Sequence, residues 1–369
     1  MNILFIASRM HSNQADLIKK LIKEGHSIKF LVLGIGDSED HSVLEPVIIP
    51  LYKFNIKYLK SKSIDISKYP LYAIPNFYKF IKLVESFNPD RIILRGGMRP
   101  IYSIFLLYRI LFLSKSICFY TQRPIFLKEI SFKKKCIDFV FLNLLKVKWY
   151  TPVLYKGEYS SSFIENKKLK FLPFFKNYNG NDITVSEELN FLCVAKYEAR
   201  KNIDLLLDCF EKVYEKNKNF HLTIIGTTST TKRESYYAKL LSDLSQKKYS
   251  KKVTLLKNIP FKKMGDYYKR NDVFVLLSER EEASISQIEA MSYNLAIICS
   301  NDNGSAHYVK NNFNGFVIKP NKKQVLNYIY LYLNNKSMLK EHKINSGIMM
   351  KSDFNIDKIY DDFYSFIIS

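Results

Sequence analysis

The chain has 369 residues, 47% of them hydrophobic, enough for about two domains with well-filled cores. Its 57 Lys and Arg outnumber 35 Asp and Glu, a formal charge of +22, and the excess is lopsided: residues 1–180 hold 29 basic and 13 acidic side chains, residues 181–369 hold 28 and 22. The 5 cysteines are odd in number, scattered and free of any C-x-x-C, which argues against a disulfide framework or a zinc site and fits a reducing compartment.

The chain opens on "NILFIA", a run of strand length with no basic leader, so no signal peptide is expected. "NQADLIKKLIKEG" predicts a helix ending at Gly25, and "HSIKFLVLG" a second strand, the βαβ rhythm of a parallel sheet. "PDRIILRGG" and "SICFYTQRP" read as later strands. The apolar stretch Ile101–Leu113 contains Arg109 and is short for a membrane span; a core helix suits it better. A linker is expected at about 169–188, where Pro, Gly, Asn and acids mix. The rhythm then restarts: strand "LNFLCVA", amphipathic helix "IDLLLDCFEKVYEKN", strands "FHLTIIG" and "KVTLLK", helix "KMGDYYKRN", strands "DVFVLL", "AIICS" and "GFVI", and a final helix "IDKIYDDFYSFII". No internal repeat is visible. In open parallel sheets ligands bind beyond the carboxyl ends of the strands, so residues just after "FLCV", "TIIG", "FVLL" and "IICS" are the first suspects.

Within this frame "SEREEASISQIEAM" (278–291) places four glutamates around small and apolar residues. Ser284-x-x-Gln287 and Ser286-x-x-Glu289 are both capping-box patterns, and either starts a helix between Glu281 and Glu289. A helix N-terminus offers unpaired N–H groups and partial positive charge to a phosphate, while carboxylates on either side can accept hydroxyl hydrogens. Lys196 and Lys201, directly after "FLCVA", can grip a diphosphate as charge-assisted donors. "NDNGS" (301–305) follows another strand, and its Gly304 lets backbone approach a ligand closely. Taken singly, each element is equally a solvated loop or an ordinary turn.

Together they resemble the retaining glycosyltransferases of family four, which have the GT-B fold. The resemblance rests on Lys196 and Lys201, on Glu281 followed after seven residues by Glu289-Ala290-Met291, on "SYNLAIICSNDNG" in register, and on "NNFNGFVI". It covers about 190–320; the first half shares the βαβ order. It implies two Rossmann-like parallel-sheet domains facing a central cleft: an acceptor domain at 1–175, a nucleotide-sugar domain at 176–355, and a C-terminal helix, 356–369, packing back on the first. It further implies that Lys196 and Lys201 neutralise the donor diphosphate, that Glu281 faces the donor sugar, that Glu289 binds the ribose, and that Ser284, Ile285 and Ser286 approach the phosphates. Gly226, Asn258 and Gly304 complete the donor-side candidates; Arg95, Gln122 and Arg123 are those for the acceptor.

Three departures stand out. The family's Gly-Phe-Gly after the first glutamate is Glu282-Ala283-Ser284 here, the Gly-rich loop after the first strand is "SRMHSNQAD", and the first-domain histidine has no clear match in "CFYTQRP". The resemblance implies transfer of a sugar from a nucleotide-diphosphate donor with retained configuration, with no metal and no cofactor, since fixed cations stabilise the leaving group. The basic first half, with Lys133–Lys135 and Lys167–Lys170, suits an anionic membrane surface and a lipid-linked saccharide acceptor of bacterial surface polysaccharide assembly. The protein is then expected in the cytoplasm, peripheral to the inner face of the membrane. Rival readings are a catalytically weakened homologue acting as a partner subunit and a basic nucleic-acid-binding protein; for the latter no recognisable motif is present, and no nucleic-acid partner is expected. A dinucleotide oxidoreductase would need G-x-G-x-x-G after the first strand, which "ASRMHSNQ" lacks.

Overall fold

The computed structural model describes residues 1–11, 14–36, 39, 41–66, 69, 72–95, 116–127, 131–155, 164–180 and 183–368. The Gly96–Gly97 turn, the apolar stretch 101–113 and the side chains of Lys133 and Lys134 lie outside this set. Two compact units emerge. The first comprises 1–152, 164–175 and 359–369, the second 153–163 and 176–358.

The first unit is built on a seven-stranded sheet of order β3-β2-β1-β4-β5-β7-β9, with every pair parallel. Its strands are β1 (Asn2–Ala7), β2 (Ser27–Val32), β3 (Val47–Ile48), β4 (Arg91–Arg95), β5 (Ser116–Tyr120), β7 (Lys148–Thr151) and β9 (Leu169–Phe171). A short antiparallel pair, β6 (Phe126–Leu127) with β8 (Ile164–Glu165), stands apart. Leu4, Phe5 and Ile6 are all fully buried, so β1 shows no alternation; both faces of a parallel sheet are covered. Helix Ala15–Lys23 buries Leu17, Ile18 and Leu21, and Gly25 at φ 79° supplies the left-handed residue that ends it. The expected linker begins too early. Leu169 pairs with Trp149 and is buried, making residues 169–171 the edge strand β9, and irregular chain starts only at Leu172.

The second unit holds β10 (Leu189–Val194), β11 (Phe220–Gly226), β12 (Val253–Lys257), β13 (Val273–Leu276), β14 (Ala296–Ser300) and β15 (Gly315–Ile318), all parallel, in the order β12-β11-β10-β13-β14-β15. Read from the first strand of the unit, this is the doubly wound order 3-2-1-4-5-6, whose direction reverses between β10 and β13. Helices Ile203–Lys216, Thr231–Ser245, Phe261–Lys269, Ile285–Ser292, Lys322–Asn334 and Lys336–Lys351 connect or flank the strands. A fully buried ion pair, Lys343 Nζ to Asp272 Oδ1 at 2.7 Å, anchors the segment entering β10: Lys343 also donates to Thr184 O, and Asp272 accepts from the Asn190 N–H. Two Rossmann-like parallel-sheet units with helices constitute the GT-B architecture.

Candidate functional site

The reversal between β10 and β13 leaves a crevice outside their carboxyl ends, and the candidates collect there. After β13 the chain turns through Arg280, held at φ 51° with its N–H donating to Asp302 Oδ2 at 2.6 Å. Glu281 bridges to Asn303, and the Gly304 N–H donates to Glu281 O at 3.0 Å. A Cβ on Gly304 would lie 1.8 Å from Glu282 O, so the two loops can lie this close only with glycine there. Ser284 is the N-cap of helix Ile285–Ser292 and accepts from the Gln287 N–H. Of the two capping-box patterns, the Ser284 one locates the helix start. Its second half is rewired: Gln287 donates to Ser305 O at 2.8 Å and accepts from Asn303, while the Ser284 N–H goes to Ser305 Oγ. Ser286 Oγ donates to Val194 O, tying the helix start to the end of β10.

On the other side of the crevice, Tyr197 to Lys201 form a turn packed with charge. Lys201 is buried and its ammonium pairs with Glu281 Oε2, which also accepts from Arg200 Nη1 at 3.1 Å. Arg200 Nε donates to Glu198 Oε2 at 2.9 Å, and Glu198 Oε1 accepts from Arg233, at the start of helix Thr231–Ser245. Burial alone would raise the Glu198 pKa; the hydrogen bond and charge of Arg233, then Arg200 and Lys196, overcome it and hold the carboxyl below its usual range. Lys196 keeps exposed surface, yet desolvation of its ammonium and the neighbouring charge of Arg233, joined by Lys201 and Arg200, lower its pKa against the opposing pull of the Glu198 carboxylate. Four cations (Lys196, Arg200, Lys201, Arg233) face two carboxylates (Glu198, Glu281), leaving two positive charges for an incoming anion.

Glu289, on the same helix as the Ser284 cap, is buried; the Tyr268 hydroxyl donates to its Oε2 at 2.8 Å and Lys176 Nζ lies 4.0 Å from Oε1. Burial and then the Glu289 charge raise the Tyr268 pKa, so this phenol stays a donor. Gly226 ends β11 where a Cβ would meet Ala195 O at 2.4 Å, so it lets the Ala195–Tyr197 segment pass. Asn258, at φ 55°, accepts from the Thr228 N–H and donates to Thr228 Oγ1, bracing the loop after Gly226. Lys196, Lys201, Glu281, the Ser284–Ser286 turn, Gly226, Asn258 and Gly304 thus lie at or just after the carboxyl ends of strands of one sheet, whereas the Glu289 carboxylate meets Tyr268, in the last turn of helix Phe261–Lys269. Sequence reading missed Glu198, Arg200, Arg233, Tyr268 and Lys176; only Arg200, adjacent to Lys201, carried a local signal.

In the first unit, Arg95 at the end of β4 lies over the Tyr120 ring, 4.4 Å from its centroid. Gln122 and Arg123 follow β5, and Arg123 is engaged within the fold: it pairs with Asp138 at 2.5 Å and covers the Trp149 ring at 4.7 Å. Where the family has a Gly-rich loop, Glu39 accepts from Arg9 Nε and the Gly36 N–H, with His11 Nδ1 at 2.9 Å.

Residues 181–347 match the family model described as glycosyl transferases group 1. Over this span the second unit is similar to the group 1 glycosyltransferases. An alpha-monoglucosyldiacylglycerol synthase of Acholeplasma laidlawii is 26% identical over 171 residues, 44% of this chain and 42% of that protein, so the chain spans less than half the length of this curated relative. Among solved structures, Anabaena HepE in complex with UDP-glucose superposes with a TM-score of 0.70 at 11% identity over 99% of this chain and 98% of that one. WaaG, a glycosyltransferase involved in lipopolysaccharide biosynthesis, gives 0.61 at 12% identity over 99% of each. At such identities the structures speak for the fold, while the likeness to group 1 glycosyltransferases rests on the sequence match.

Proposed function

We propose that the protein is a retaining, nucleotide-sugar-dependent glycosyltransferase of the hexosyltransferase class, with a lipid-linked saccharide acceptor in bacterial surface polysaccharide assembly. The observation that carries this reading is the doubly positive cluster of Lys196, Arg200, Lys201 and Arg233 at the reversal point of the second sheet, opposite the Ser284-capped helix start. A nucleoside diphosphate has the matching charge, and as the glycosidic bond breaks its β-phosphate gains negative charge that fixed cations stabilise. Glu281 holds the Lys201 and Arg200 side chains in place; on donor binding the phosphates take over these cations, and the carboxylate turns to the sugar hydroxyls. Glu289, steadied by Tyr268, receives the ribose hydroxyls. On this reading the reaction needs no divalent ion, and a chelator leaves turnover unchanged. Acceptors of this kind are presented at the cytoplasmic face of the membrane, where the protein works as a peripheral enzyme. The named relatives support the choice of acceptor class: one is called a synthase of a glucosylated diacylglycerol, the other is involved in lipopolysaccharide biosynthesis.

Isothermal titration of the full chain with UDP, GDP, ADP and CMP tests the reading. One nucleoside diphosphate should bind at least tenfold more tightly than CMP; equal or absent binding of all four overturns it.

A further inference from the structure

Sixteen of the nineteen large hydrophobic side chains exposed among the described residues belong to the first unit. They are not spread evenly. Residues 48–84 carry Phe54 at 61% exposure, Tyr58 at 47%, Tyr72 at 49% and Tyr78 at 65%, with Ile56 and Ile74 exposed beside them. The same segment has seven lysines and a single acid, Asp65. Backbone and side-chain bonds stitch it into one surface. Asn55 donates to Tyr72 O and accepts from the Ile74 N–H, Tyr52 N donates to Ile74 O, and Asn76 N donates to Pro50 O.

Helix Lys53–Ser61 shows how the surface is organised. Its buried residues are Asn55 and Leu59. At about 100° per residue, Lys53, Lys57 and Lys60 fall roughly 140–200° round from Asn55, the outward ridge. Phe54 and Tyr58 flank that ridge on one side and Ile56 on the other. At the start of the next helix, Lys82 lies over the Tyr78 ring, 4.6 Å from its centroid, repeating the pairing of ammonium and aromatic ring.

We infer that this face, centred on helix Lys53–Ser61 and Tyr72–Tyr78, docks the protein on an anionic lipid bilayer. The cores of protein–protein interfaces are depleted of lysine, whereas here lysines form the most prominent ridge. At a headgroup layer the same ridge meets phosphates, while aromatic rings and lysine stems fit the zone between headgroups and acyl chains. This face is proposed beside the Lys133–Lys135 and Lys167–Lys170 clusters expected from sequence to meet such a surface. The inference deepens the proposed function and rests on it only for why a bilayer is relevant.

Co-sedimentation of the full chain with vesicles of phosphatidylcholine alone, and of equal parts phosphatidylcholine and phosphatidylglycerol, tests it. Wild type should prefer the anionic vesicles and lose that preference at high salt. The triple substitution Lys53→Gln, Lys57→Gln, Lys60→Gln should lower partitioning on the order of a hundredfold, since each basic residue near such a surface contributes roughly fivefold. Phe54→Ser with Tyr58→Ser should lower it about tenfold. Both variants should keep the wild-type melting temperature and nucleotide affinity, which separates failure here from failure of the donor reading. No anionic preference in wild type, or variants that sediment like wild type, overturns the assignment. So does a wild-type dimer in light scattering that the same substitutions abolish, which would make the face a contact between copies.

Discussion

Replacing Lys201 with alanine distinguishes a phosphate-binding lysine from a structural one. The Lys201 ammonium pairs with Glu281 Oε2, and Arg200 Nη1 stands 3.1 Å from the same oxygen. The variant therefore leaves Glu281 one cationic partner. Its folding cost should fall below the roughly 3–5 kcal/mol of a buried pair stripped of one member, at about 1.5–3 kcal/mol for one lost hydrogen bond to charge. The nucleotide loses a charge-assisted bond of about 1.5–3 kcal/mol, a roughly 10- to 150-fold weaker Kd for the diphosphate. Calorimetric titration of the nucleoside, its monophosphate and its diphosphate against wild type and variant reads this directly. The nucleoside should bind both proteins alike, with the loss concentrated in the diphosphate. An equal loss for all three would mean general damage to the lobe, and an unchanged diphosphate Kd would remove Lys201 from the phosphate site.

Three further substitutions probe the surroundings. Tyr268→Phe removes the phenol that donates to Glu289 at 2.8 Å; affinity for the ribonucleotide should fall about tenfold, and for its 2′,3′-dideoxy analogue much less, by roughly the value of one hydrogen bond to charge. Because the Lys196 pKa is lowered, nucleotide affinity should be full at neutral pH and decline on the alkaline side earlier than for an ordinary lysine; Lys196→Arg, charged throughout, should bind without that decline when titrated across the same range. Lys343→Met strands buried Asp272 with only backbone donors, at a cost of about 3–5 kcal/mol. A scanning-calorimetry Tm within a degree or so of wild type would show that the pair contributes little.

The second unit was readable because its strands are buried apolar runs closed by Gly226, Asn258 or Asn301, and because Ser284 announces a helix start in local chemistry. The helix Thr231–Ser245 escaped notice: among its buried residues are only Leu240 and Leu244, too few to impose a period on a polar stretch. Glu198 and Arg233 meet across 35 residues and Arg200 and Glu281 across 81, and pairings of that span leave no trace in spacing. Strand β9 looks like linker in the sequence because three residues beside a proline hold no pattern; its neighbour Trp149 makes it a strand. In the first unit, Arg123 looked available at a strand end, and only the fold brings Asp138 and Trp149 against it.

The last helix, Ile356–Ile368, has a practical consequence for anyone dividing the chain. His26 lies 2.9 Å from the Tyr360 hydroxyl, Phe363 packs edge-on against Phe175, and Lys148 donates to the carbonyl of Phe366. A stop codon introduced near position 355 would thus injure the amino-terminal half, uncovering the Phe175 ring and leaving His26 without its phenol. A fragment ending at Phe175 should express poorly unless residues 356–369 are supplied in trans as a peptide, whereas the other half can be trimmed at that end with little harm.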